Sequence, residues 1–97
     1  MIVPKVHGAK LQDVSDDYLV ELLPIVRKLA IAMGLDSYNV LQNNGKQAMQ
    51  EVPHLHVHLI PKPSADVGLR GVSWNPIPQD AASIAALAAV IRSKLAE

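Results

Sequence analysis

His54, His56 and His58 alternate with apolar residues in the stretch PHLHVHLIPKP, residues 53–63, of a 97-residue chain whose only other histidine is His7. On a strand, residues two apart point to one face, so the three imidazoles line one side while Leu55, Val57 and Leu59 point to the other. Imidazole can ligate a metal, carry a proton or attack an electrophile. Steps of two along a strand are about 6.6 Å, so the outer pair starts about 13 Å apart. Zinc–nitrogen bonds are about 2.0–2.1 Å, and one ion shared by all three rings fits poorly. Two neighbouring rings with ligands from elsewhere remain as a metal alternative. The extended row suits phosphorus chemistry better. One imidazole attacks phosphorus, a second fixes its tautomer, and a third stabilises phosphoryl oxygens or the leaving group. His56, flanked on both sides, is the natural nucleophile. The plainest reading is three solvated histidines on a half-buried strand, but strict alternation of three favours a functional one.

The row needs elements to hold it. Met1 to Pro4 reads as a short strand cut by proline, and Lys5 to Leu11 as a connection that turns at Gly8. Between Ser15 and Met33, Leu19, Leu22, Leu23, Val26, Leu29, Ala30 and Met33 recur at steps of three and four, which predicts a helix. Ser15 is its expected N-cap and Gly34 its stop. Pro24 removes a helical hydrogen bond and predicts a kink. A strand is predicted over Ser37 to Gln42, ended by the turn residues Asn43, Asn44 and Gly45. The histidine strand follows from His54 to Ile60 and should stop at Pro61-Lys62-Pro63. Residues 64 to 79, with Gly68, Gly71, Pro76 and Pro78, read as irregular, with Trp74 either a cover for a pocket or partner chain or a local anchor. Asp80 should cap a last helix of about 15 residues with Ile84, Leu87, Ile91 and Leu95 on one stripe.

Composition bounds the function. The chain is small enough for a single domain, residues 1–97, with a mainly aliphatic core: Phe is absent and the aromatics are Trp74, Tyr18 and Tyr38. Nine basic residues balance nine acidic ones, so no basic field draws in a nucleic-acid polymer or an anionic membrane. A single nucleotide needs only a few donors and is not excluded. Without cysteine there is no disulfide, thiolate metal site or thiol nucleophile. The opening residues do not read as a signal peptide, and no apolar run is long enough to span a bilayer. A cytoplasmic, and also nuclear, location is the natural expectation.

HLHVHLI follows the pattern His-φ-His-φ-His-φ-φ, with φ apolar, and resembles the signature of the histidine triad superfamily of nucleotide hydrolases and transferases. NVLQNNGKQAMQEVPHLHVHLIPKP resembles that family's strand, Asn-Gly loop and triad strand in order. IVPKVH resembles its Val-Ile-Pro-Lys-x-His segment, and GVSW its Hint-type branch, fungal members especially. The resemblance implies an α+β fold, an antiparallel sheet with a long helix packed across it and a C-terminal helix. It implies a hydrolase or transferase acting at the α-phosphorus of a nucleoside 5′-monophosphate ester or phosphoramidate, an adenosine phosphoramidate foremost. His56 would be the nucleophile, His54 would hold its ring, and His58 would contact phosphate and leaving group. Asn43, with Asn44 as a one-residue alternative, Gln50 and Glu51 would lie beside the nucleotide with His56 and His58. These amides have a structural reading too, as partners for loop backbone groups. Glu51 stands where relatives carry Ser or Thr, and a carboxylate there repels phosphate unless turned away. His7 is expected to be structural or superficial.

The scheme calls for no metal or cofactor. The resemblance also implies a homodimer, with the long helix and the Ser37 to Gln42 strand near the interface. Against the family, the chain is expected to lack a front segment carrying a helix, a hairpin, much of the apolar base pocket and an acidic residue for the ribose. Nucleotide affinity should suffer from that more than the reactivity of His56. Two other functions stay open: a short, weakly active module acting by nucleotide binding or dimerisation, and a dinucleoside polyphosphate hydrolase.

Overall fold

The computed structural model describes residues 1–96. Two strands, β1 (Tyr38–Leu41) and β2 (His58–Pro61), pair antiparallel with Tyr38 opposite Pro61 and Leu41 opposite His58. The Lys62 amide donates to the Ser37 carbonyl at 2.9 Å, which places the Tyr38–Pro61 pair between hydrogen-bonded pairs. Proline's missing N–H costs nothing there, so Pro61 ends the strand from inside rather than from beyond it.

The histidine strand is shorter than the expected His54 to Ile60. Val57 makes an isolated antiparallel bridge with Ile2, bonded in both directions at 2.7 and 2.9 Å. The next bonded pair of such a ladder would be Pro4 with Leu55, but Pro4 has no N–H to give. The ladder stops, and the Leu55 amide turns to the Gly8 carbonyl at 2.7 Å instead. His54 and His56 therefore precede the regular strand. Inside–outside alternation survives: Leu55 and Val57 are buried while all three histidines are half-buried.

The expected helix over Ser15 to Met33 is broken rather than kinked, into α1 (Asp16–Leu19) and α2 (Leu22–Ala32). Pro24 explains the break. It cannot donate to the Val20 carbonyl four residues back, and its ring crowds that carbonyl. Val20 and Glu21 become a turn, and Pro24 falls in the first turn of α2, where its N–H would have had no partner. Ser15 occupies the N-cap position of α1 without a side-chain cap bond.

Leu22, Val26 and Ala30 form the buried stripe of α2. Leu22 and Val26 pack with Ile2, Val14, Leu55 and Val57, flanked by Val6, Leu19 and Leu59. Of the wider apolar face read from the sequence, Leu23, Leu29 and Met33 lie exposed. The last helix, α3 (Ala81–Leu95), begins as expected at Asp80, whose carboxylate accepts the Ser83 amide at 2.7 Å. Its stripe of Ile84, Leu87, Ile91 and Leu95 is exposed, and no residue of α3 is buried. Trp74, in the irregular segment before it, is 81% exposed. Among the described residues no helix is long and apolar enough to cross a membrane.

Candidate active site

The Pro4 that ends the ladder frees its own carbonyl, and the His54 side chain takes it: Nε2 lies 3.0 Å from the Pro4 oxygen. A carbonyl only accepts, so Nε2 of His54 carries the proton. The His54 carbonyl in turn lies 2.8 Å from Nδ1 of His56. By the same reasoning His56 is the Nδ1–H tautomer, and its Nε2 keeps a free lone pair. The His58 ring meets His56 edge-on, with centroids 4.9 Å apart and planes at 83°. On the other side His7 lies against His54, centroids 5.7 Å apart.

All four histidines thus fall in one cluster. His54 orients His56 through its main chain rather than its ring. The strand spacing alone could not have shown that difference. His7 is exposed and stands beside the His54 ring, in keeping with the structural or surface role expected of it. The Pro-Lys-x-His spacing, which returns the chain to the triad after proline, was the available signal.

The loop residues divide. Gln50 is a buried polar residue with both ends of its amide in use: Oε1 accepts the Gly45 amide at 2.7 Å and Nε2 donates to the Ala9 carbonyl. Asn44 and Gln42 exchange hydrogen bonds at 2.7 and 2.8 Å, and Asn44 Oδ1 also accepts the Leu11 amide at 2.9 Å. These two amides and Gln50 tie the Asn-Gly loop to residues 9–11. Asn43 donates to the Met49 carbonyl at 3.4 Å, and among the described hydrogen bonds its Oδ1 has none. Asn43 is therefore freer than Asn44 or Gln50 to meet a ligand.

Two hollows flank this region. An apolar recess of about 380 Å³ is lined by Met1, Val3, Val52, His54 and His56. A wider one of about 760 Å³ holds Lys10, Lys46, Gln50 and Glu51 with the loop backbone. Glu51 lines the hollow that holds Lys10 and Lys46 and is not among the residues lining the recess at His56. Among the described residues no group of three or more His, Cys, Asp or Glu is placed to hold a metal ion.

Three alternating imidazoles on the segment that enters β2 of an antiparallel pair, with His56 held so that Nε2 is free, and a core on the opposite side closed by α2, define the histidine triad class. The HIT domain model matches residues 1–65, and the chain belongs to that family. Its similarity runs to fungal members. It is 58% identical over 74 residues to adenosine 5′-monophosphoramidase HNT1 of Saccharomyces cerevisiae, covering 76% of this chain and 46% of that protein. It is 45% identical over 95 residues to adenosine 5′-monophosphoramidase hnt1 of Schizosaccharomyces pombe, covering 98% and 71%. The chain thus spans about half of the first relative's length and more of the second's. The crystal structure of a histidine triad nucleotide-binding protein from Candida albicans superposes with a TM-score of 0.86 at 44% identity, over 97% of this chain and 71% of that one. The expected α+β histidine triad fold is the fold observed.

Proposed function

We propose that this chain is a nucleotide hydrolase that cleaves a nucleoside 5′-monophosphate from a phosphoramidate or ester, with an adenosine phosphoramidate as the favoured substrate. One observation carries the reading: Nδ1 of His56 lies 2.8 Å from the His54 carbonyl, which supports an Nδ1–H tautomer with Nε2 available as the nucleophile. Nε2 attacks the α-phosphorus, the phosphorus–nitrogen bond to the leaving amine breaks, and the amine takes up a proton. Water then adds to phosphorus and gives up its proton, and the phosphorus–Nε2 bond breaks. The products are the nucleoside monophosphate and free His56. His58, edge-on to His56, is suited to donate to phosphoryl oxygens or to the leaving group. Asn43 has an amide oxygen to offer the nucleotide, while Gln50 supports the loop. The apolar recess at Met1, Val3 and Val52 gives the nucleoside a wall.

The names of the fungal relatives support this substrate class. The working form in this reading is a homodimer, and the reaction needs no metal. Turnover of an adenosine phosphoramidate by wild type and His56→Ala tests the proposal. A loss of about a thousandfold or more is expected; a variant with full activity would remove His56 as the nucleophile. Faster turnover of a dinucleoside polyphosphate on the same preparation would move the chain to that substrate class.

A further inference from the structure

Met49 is the one non-glycine among the described residues with a left-handed backbone, at φ 69°. It ends the short 3₁₀ turn Lys46–Ala48, where its own amide donates to the Lys46 carbonyl and the Gln50 amide to that of Gly45, both at 3.0 Å. Glycine is the ordinary residue at such a stop, because a left-handed Cβ crowds the following carbonyl oxygen. The conformation is imposed from either side. Gln50 also accepts the Gly45 amide through Oε1, so Gly45 and Gln50 grip each other by main chain and side chain around Met49.

Nothing inside the chain calls for a methionine there. The residue is 77% exposed, so its side chain adds little to the packing. Non-glycine residues held in this conformation collect where a ligand is met. Met49 lines the wider hollow of about 760 Å³, together with Pro53, Glu51, Lys10 and Lys46. An unbranched thioether adapts to apolar partners of varied shape.

That hollow is placed to receive one half of a substrate. From Glu51 to His54, alternate residues line alternate hollows: Glu51 and Pro53 the wider one, Val52 and His54 the apolar recess at His56. The Met49 carbonyl also accepts the Asn43 side-chain amide at 3.4 Å, so this main chain touches the residue proposed to meet the nucleotide. With the nucleoside in the recess, the group departing from phosphorus has the wider hollow across the same short segment. Ammonia, released from the parent phosphoramidate, leaves that hollow unused. An amine with an alkyl body reaches Met49.

We infer that Met49 sets the leaving-group preference of the site, its side chain packing against the apolar body of the departing amine. Phosphoramidates of aliphatic amines are then favoured over the parent compound. The inference rests on the hydrolase proposed above and names the second half of its substrate. Its test is a quotient: kcat/KM for adenosine N-hexylphosphoramidate divided by kcat/KM for the unsubstituted compound, on one preparation of each protein. The fraction folded cancels in that quotient. It should fall about tenfold from the wild-type value in Met49→Ala and in Met49→Gly, while Met49→Leu keeps most of it. Glycine relieves the backbone and alanine does not, so equal falls assign the effect to the lost side chain. A quotient unchanged in both variants, a fall in only one of them, or a leucine variant as poor as the alanine one would overturn the inference and leave the hydrolase reading standing. Turnover of neither substrate by the wild type would overturn that reading, and this inference with it.

Discussion

At the scale of single residues, the site turns on a proline. Pro4 cannot continue the ladder that Ile2 begins with Val57, and its carbonyl is spent on His54 Nε2. The His54 carbonyl faces His56 Nδ1 at 2.8 Å, which sets the tautomer of the proposed nucleophile. The support given to His56 is therefore a backbone group, which survives truncation of the His54 side chain. His54→Ala should lower kcat by about tenfold, through looser backbone placement, while His56→Ala loses about a thousandfold or more. Steady-state kinetics on one substrate compares them. Equal losses would mean that the His54 ring itself acts in the reaction.

At the scale of elements, caps and breaks decide where the helices lie. Asp80 caps α3, and the Ser83 amide that its carboxylate accepts holds its pKa below the ordinary carboxylate value. A carboxylate depressed in the folded state stabilises above its unfolded pKa, and the contribution is lost as pH falls through the folded value. Helix content at residues 81–85, followed by amide NMR between neutral pH and pH about 2.5, should fall on acidification. Asp80→Asn, still able to cap, should show less of that change. An equal response in both would assign the fraying to other groups.

Much of this was legible. The Asp80 cap and the run from Ala81 to Leu95 stood where propensity and the capping residue put them. The alternation that buries Leu55 and Val57 and spares the histidines was equally plain, because a period of two needs no tertiary information. Two features were not legible. The helix broke at Val20 and Glu21 rather than bending at Pro24, because a proline acts on the carbonyl four residues before it. The histidine strand shortened because its neighbour, 50 or more residues away in sequence, brought a proline to the pairing position. In the site, residue types marked the three histidines and the Pro-Lys-x-His spacing hinted at His7, but only the fold could show that His7 lies against His54 and that Gln50 is committed to the loop backbone.

At the scale of the molecule, few residues hold the chain together. The core is Ile2, Val14, Leu22, Val26, Leu55 and Val57, and Leu55 alone has no exposed surface. In sequence it stands between the two histidines that form the proposed nucleophilic unit, with its side chain on the opposite, core-facing side, so core and site share one segment. Leu55→Ala should cost about 3–5 kcal/mol, from lost transfer energy and the cavity left behind. That is a large part of the stability of so small a domain, of order 5 kcal/mol. Urea unfolding measures it, and a loss below about 1 kcal/mol would show that the core closes around the gap.

The central claim is that His56 Nε2 bonds to phosphorus. A rapid mixture of the protein with an adenosine phosphoramidate, denatured in alkali to preserve the acid-labile phosphorus–nitrogen bond and digested, tests it by peptide mass spectrometry. One adenylate on His56 of the wild type, and none on the same peptide of His56→Ala, is the expected result. Adenylate on another residue, or turnover by His56→Ala at the wild-type rate, would contradict it.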